Sequence, residues 1–268
     1  MNPDAALYLE ECDQVLEALG TPVQERYDLL KSHHATAEKR YYSLAQEVIT
    51  GTYVGDYDYV LDLLDRCYFP TREGVANFHD NFVDALILAG EEKIAEGKVE
   101  QAVTLYKKAF TYPENHQVFL VDERATHDAQ INYCLGEAYA ALGQDAEAEK
   151  YWKLAAEQDY ELKGSKDFRY WTGLALERLG RKAEAEAIFS ALVADGEAAV
   201  VTQHVNFYGA EGTTGVTVDI INSAAYYTQA LGHLGLGHRG KAKRLFAEVQ
   251  RLKPDHLWAN EFMKQFEK

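Results

Sequence analysis

The chain has 268 residues, 47% hydrophobic and 26% charged, a balance that excludes bulk disorder and suits one large domain or two small ones. Its 43 acids against 27 bases give a net charge of −16, which repels nucleic acid and anionic membrane and excludes a general binder of either. Cys12, Cys67 and Cys134 are too few and too widely spaced for a disulfide framework or a thiolate zinc site, and they fit a reducing compartment. Acids stand near the N-terminus where a signal peptide needs bases, and no run approaches the roughly 20 apolar residues of a membrane helix. A cytoplasmic protein is expected.

In chain order the pattern predicts six helical hairpins, each with a glycine between its two helices. The first spans 3–34 and turns at Gly20; its opening helix carries Asp4, Glu10, Glu11, Asp13 and Glu17 and is expected to cap the front with a polar outer face. Thr21-Pro22-Val23-Gln24 has the spacing of a capping box that starts the second helix. The second hairpin, 38–70, turns at Gly55, and the third, 78–113, pairs Ala89-Gly90 with Ala102 and Tyr106 across Gly97. The fourth, 127–160, sets Leu135-Gly136 against Ala148 and Trp152 across Gly143. The fifth, 166–195, sets Gly173 against Ala185 and Phe189 across Gly180. The sixth, 223–254, sets Ala230 against Ala242 and Phe246 across Gly237, and 255–267 reads as a capping helix with Leu257, Trp258, Phe262 and Phe266 at helical spacing. Pro70, Pro113 and Pro254 fall just past second helices, where proline stops a helix without breaking it.

Each recurring residue type has a mechanical task. Small residues let two helices approach closely, the ring one turn on fills the gap toward the next unit, and the turn glycine takes a left-handed conformation at little steric cost. These positions resemble the tetratricopeptide repeat (TPR), a helix-turn-helix unit of about 34 residues. The resemblance implies an all-α, right-handed α-solenoid of six hairpins, one domain over 1–268, stable only because stacked neighbours bury a continuous seam. The turn glycines are 35, 42, 46, 37 and 57 residues apart, so insertions are expected around 70–77, 113–127 and, longest, 196–222. In the last, β-branched runs flank a Gly/Thr turn, which reads as a short β-hairpin or an ordered loop. An open stack is favoured over a closed α/α toroid by the small-residue pattern and the short chain.

Phe69-Pro70, Arg72-Glu73-Gly74, His79-Asp80, Tyr112-Pro113-Glu114-Asn115 and Lys253-Pro254-Asp255-His256-Leu257-Trp258-Ala259 are also similar to the C-terminal repeat region of large bacterial proteins with an N-terminal β-rich domain of unknown function. That family typically has an aromatic before Glu73 and two glycines after it, whereas this chain has Arg72 and Gly74-Val75.

First helices of such arrays line a concave groove. Counting from the turn glycines, Tyr133, Tyr170 and Tyr227 fill one groove-facing position, with Glu91, Glu137 and Glu177 nearby. Phenols beside carboxylates suit stacking on a peptide or a sugar; the same tyrosines also suit packing between adjacent helices. No Lys/Asn carboxylate clamp for an acidic tail stands on these helices, so a neutral or basic partner fits better. The nine histidines are scattered, without the spacing of a metal motif, and no nucleophile elbow, phosphate loop or facing carboxylate pair is evident. The expected function is a non-enzymatic scaffold without cofactor or metal, binding a protein or peptide through its concave face, including a β-rich domain of the same protein. The alternative is an accessory carbohydrate-associated module that binds a glycan; a weaker third is a free-standing α/α glycosidase. Charge is uneven, since residues 238–268 hold eight bases against four acids. That basic end reads as a solvated helix face or as a contact for an acidic partner.

Overall fold

The computed structural model describes residues 4–70, 78–117, 127–158, 167–202 and 218–267. Among them the chain forms fourteen α-helices, and extended pairing is confined to one isolated bridge between Phe69 and His116. Ten helices pair into hairpins: α1 (Ala5–Ala18) with α2 (Val23–Ser32), α4 (Tyr41–Val54) with α5 (Tyr57–Arg66), α6 (His79–Ala95) with α7 (Val99–Lys108), α10 (Arg169–Arg178) with α11 (Lys182–Ala199), and α12 (Val218–Gly235) with α13 (Arg239–Leu252). Between the third and fourth of these pairs, α8 (Asp128–Ala141) and α9 (Asp145–Ala156) follow one another across Gly143. A four-residue helix, α3 (His34–Ala37), lies between the first two hairpins, and α14 (Leu257–Lys264) follows the last. The six expected turn glycines have φ between 69° and 83°, and among the described residues no other position takes a positive φ.

The chain divides into two compact units, Met1–His127 with Cys134–Ala148, and Asp128–Tyr133 with Glu149–Lys268. In the first, Gly90 lets α6 meet α7: a Cβ there would stand 2.7 Å from Cζ of Tyr106, whose ring is 2% exposed. In the second, Gly173 on α10 and Gly235 on α12 close on the same fully buried ring, Phe189 of α11. Trp152, expected to fill the equivalent gap, is half-buried and lies under the guanidinium of Arg178 at 5.9 Å.

Three local expectations are corrected. The outer face of α1 is mixed rather than polar: Tyr8, Val15 and Leu19 are 55%, 57% and 75% exposed, beside exposed Glu11, Gln14 and Glu17. Three of its acids turn toward arginines, Asp13 and Glu17 to Arg26 and Glu10 to Arg40. Asp13 and Arg26 are both buried and joined by two hydrogen bonds of 2.8 and 2.9 Å, the fork geometry that lets an ion pair leave water. Second, α2 has no side-chain cap. The Thr21 amide donates back to Leu16 and closes the end of α1, leaving Pro22 at the cap position. Third, helix takes up both ends of the expected 196–222 insertion, and 203–217 lies outside the described residues. The β-branched Val218, Ile220 and Ile221 open α12 because α11 runs on to meet it. A Cβ on Gly196 would stand 2.6 Å from the Ala225 carbonyl, so two backbones touch where a loop was expected. The insertions expected at 70–77 and 113–127 lie largely outside the described residues.

Residues flanking those segments form a clasp. The Phe69 amide donates to the Asn115 carbonyl (2.8 Å), and the Gln117 amide donates to the Phe69 carbonyl (2.9 Å). Asn115 Nδ2 donates to the carbonyls of Leu64 (2.9 Å) and Cys67 (2.6 Å), while His116 Nε2 donates to that of Leu64 (2.7 Å). These bonds satisfy carbonyls at the C-terminal end of α5 that its own helix leaves open. The His116 ring stands edge-on to Phe69 and Phe82, 5.1 and 5.0 Å away, and burial lowers its pKa. Phe69 and Asn115 of the motif Phe69-Pro70…Tyr112-Pro113-Glu114-Asn115 therefore join consecutive hairpins.

Candidate functional site

The three tyrosines of the expected row all belong to the second unit. Tyr170 and Tyr227 are 5% and 8% exposed and lie in its core, whereas Tyr133 on α8 is half-buried. Burial pushes the Tyr170 hydroxyl well above its usual pKa, so it stays a neutral phenol. Glu177, also in the second unit, is exposed on α10. Glu91, exposed, and Glu137, half-buried, belong to the first unit.

What holds the tyrosines is α14. Its Phe262, 4% exposed, stands 5.8 Å from Tyr170 at 85° and 6.4 Å from Tyr227 at 49°. The same ring stacks on Phe246 at 5.2 Å and 11°, and on Trp171 at 6.2 Å and 28°. The C-terminal helix thus reaches α10 as well as the adjacent α12 and α13, and it covers the part of the row formed by Tyr170 and Tyr227. Spacing had marked Phe262 and Trp258 as a cap without showing what they cover.

His256 starts α14. Its Nδ1 accepts from the Ala259 amide at 3.2 Å, and its ring lies 4.5 Å from that of Tyr227. An acceptor nitrogen requires the neutral imidazole, and burial, helped by Lys253, holds the His256 pKa down to about 4. Beyond Phe262 the aromatic surface continues through half-buried rings, Trp258 to Trp171 at 6.3 Å and Trp171 to Tyr133 at 5.6 Å. Trp171 was not singled out by the repeat spacing, although it directly follows Tyr170 and so shares its end of α10.

In the first unit, fully buried Glu47 accepts from His34 Nδ1 (2.9 Å) and the Tyr59 hydroxyl (2.6 Å). Both donors satisfy a carboxylate that burial would otherwise penalise. Among the described residues, no group of three or more His, Cys, Asp or Glu is placed to hold a metal ion, and no helix is long and apolar enough to cross a membrane.

No family model matches the chain. Among solved structures it is similar to YrrB, a TPR protein with an unusual peptide-binding site, at 15% identity and a TM-score of 0.32, over 88% of this chain and 97% of that one. It is also similar to the nearly identical TPR-like repeats of a kinesin light chain from Podosopora anserina, at 16% identity and a TM-score of 0.30, over 94% and 97%. At this level the chain's own turn glycines and helix pairs, rather than these likenesses, carry the fold.

Proposed function

We propose that the chain is a non-enzymatic scaffold that binds a peptide or protein segment along the first helices of its second unit. The observation that carries the reading is the half-buried series Tyr133–Trp171–Trp258, which runs from α8 across α10 to the start of α14 beside the buried Tyr170 and Tyr227. Half-buried Trp and Tyr rings on a rigid helical frame supply contact area at little entropic cost, as binding hot spots do. Exposed Glu177 on the same helix favours a ligand with neutral polar or basic groups. Tyr170 and Tyr227 belong to the site as its floor, under α14. The family resemblance makes a β-rich domain of the same protein one such partner, and the low cysteine count favours a cytoplasmic setting.

The test is a displayed-peptide selection against the whole chain, followed by calorimetry of the selected peptides. Tyr133→Ala with Trp171→Ala should weaken binding by at least about 1–2 kcal/mol. Unchanged affinity in a double variant whose helical content is intact overturns the assignment of the face.

A further inference from the structure

Carboxylates are in surplus throughout this chain, and most described bases find one. Lys31 pairs with Asp56, Arg66 with Asp62, Lys108 with Asp65, Arg169 with Asp195 and Arg251 with Glu248. Lys241, Lys243 and Arg244 of α13, and Lys253 immediately after it, make no ion pair among the described residues. Arg239, at the head of the same helix, lays its guanidinium over the Phe266 ring at 5.0 Å.

The arrangement works against the helix that carries it. Its first turn holds no acid, so Arg239 and Lys241 meet the positive end of the helix dipole, and Lys241 and Arg244 are like charges three residues apart. Among the described residues no carboxylate pairs with Lys241, Lys243 or Arg244, and an uncompensated breach of local rules is where an external contact is expected. An open cleft of about 530 Å³ lies there, lined by Gly237, His238, Arg239, Gly240, Lys241 and Arg244. Added Cβ atoms on either glycine would meet nothing within 4 Å, so the backbone is open to an incoming chain. One wall is backed by His233, 9% exposed, whose Nδ1 faces that of His238 at 3.3 Å. Burial, with Lys241 and His238 adding to it, lowers the His233 pKa.

We propose that this cleft and the adjoining face of α13 dock an acidic peptide segment of a partner protein, its carboxylates meeting Lys241, Lys243 and Arg244. Lys241, Lys243 and Arg244 leave α13 on different sides of its exposed surface, which suits several separate carboxylates better than one phosphate. The surface is separate in sequence and chemistry from the Tyr133–Trp171 face, and either can fail alone.

The test uses a fluorescein-labelled oligo-glutamate peptide of about ten residues, with an oligo-glutamine peptide as control, read by anisotropy on the full chain. Only the acidic peptide should bind, with affinity falling as salt rises. Lys241→Gln/Lys243→Gln/Arg244→Gln should lose about tenfold, as expected for a few exposed charge pairs. Lys182→Gln removes an unpaired base on α11 and should change nothing. The substituted side chains are exposed, and circular dichroism checks that the variants fold. The proposal is overturned by equal binding in the triple variant, by no binding at low salt, or by competition from orthophosphate as effective as from unlabelled peptide. Salt-sensitive self-association abolished by the same substitutions would also overturn it, by assigning the surface to a second copy.

Discussion

Gly173→Ala tests whether close helix approach, rather than helix propensity, governs the second unit. Alanine is a better helix former than glycine by about 1 kcal/mol, so on propensity alone the change should stabilise α10. Yet the new Cβ would overlap Cε1 of Phe189 and stand 2.7 Å from Cζ and 3.0 Å from Cδ1. Ordinary carbon contacts need about 3.5–4.0 Å, so the ring must retreat by roughly an ångström. It has nowhere to go: Phe189 is fully buried, and the space across from Gly173 ends at Gly235, where a Cβ would sit 2.5 Å from the same ring. Overpacking of this kind costs about 1–3 kcal/mol, leaving a net loss of up to about 2 kcal/mol after the propensity gain. Urea unfolding followed by circular dichroism measures it. Gly240→Ala is the internal control, because nothing lies within 4 Å of its added methyl, and it should be neutral or stabilising by up to about 1 kcal/mol. Gly173→Ala/Phe189→Leu should lose less than the two single changes added together. Should Gly173→Ala instead gain the roughly 1 kcal/mol that propensity alone gives, the wedge argument is wrong.

Asp13→Ala should cost about 3–5 kcal/mol by leaving the buried Arg26 guanidinium with only the exposed Glu17 as counter-charge, and Asp13→Leu/Arg26→Met should recover most of that; denaturation midpoints of the three chains decide it. Acidification gives a further test. His79 is 8% exposed, and burial lowers its pKa to about 4, so the native state holds it neutral while the unfolded chain titrates near 6.5. Its contribution is complete above about pH 6.5 and is lost as pH falls toward 4, about 2 kcal/mol being gone by pH 5. Unfolding free energies at pH 7 and 5 should differ by less in His79→Phe than in the parent. His256, also held to about 4, acts in the same direction.

The helix pairs and their turns were legible in the sequence because they depend on local chemistry. A glycine that must take positive φ, and a small residue that must admit a ring, mark single positions regardless of what lies far along the chain. The face those helices present was less legible. Whether Tyr170 and Tyr227 meet solvent depends on Phe262, some 35 to 90 residues later, and no spacing rule says over which helices a terminal cap will lie. The polarity of α1 misled for a related reason: Glu10, Asp13 and Glu17 look solvated until Arg40 and Arg26 are brought beneath them. Val218–Ile221 misled by composition, since β-branched residues in a helix are tolerated when packing against a neighbour outweighs propensity.

The clasp between Phe69 and Asn115–Gln117 bears on how the first unit assembles. Repeat arrays ordinarily gain and lose modules one at a time, each sensing only its neighbour. Here bonds spanning roughly fifty residues tie the exit of α5 to the exit of α7. Neither pair can fray from that junction while the other holds, so the intervening stretch should melt as a single block, and its formation must wait for a long loop to close.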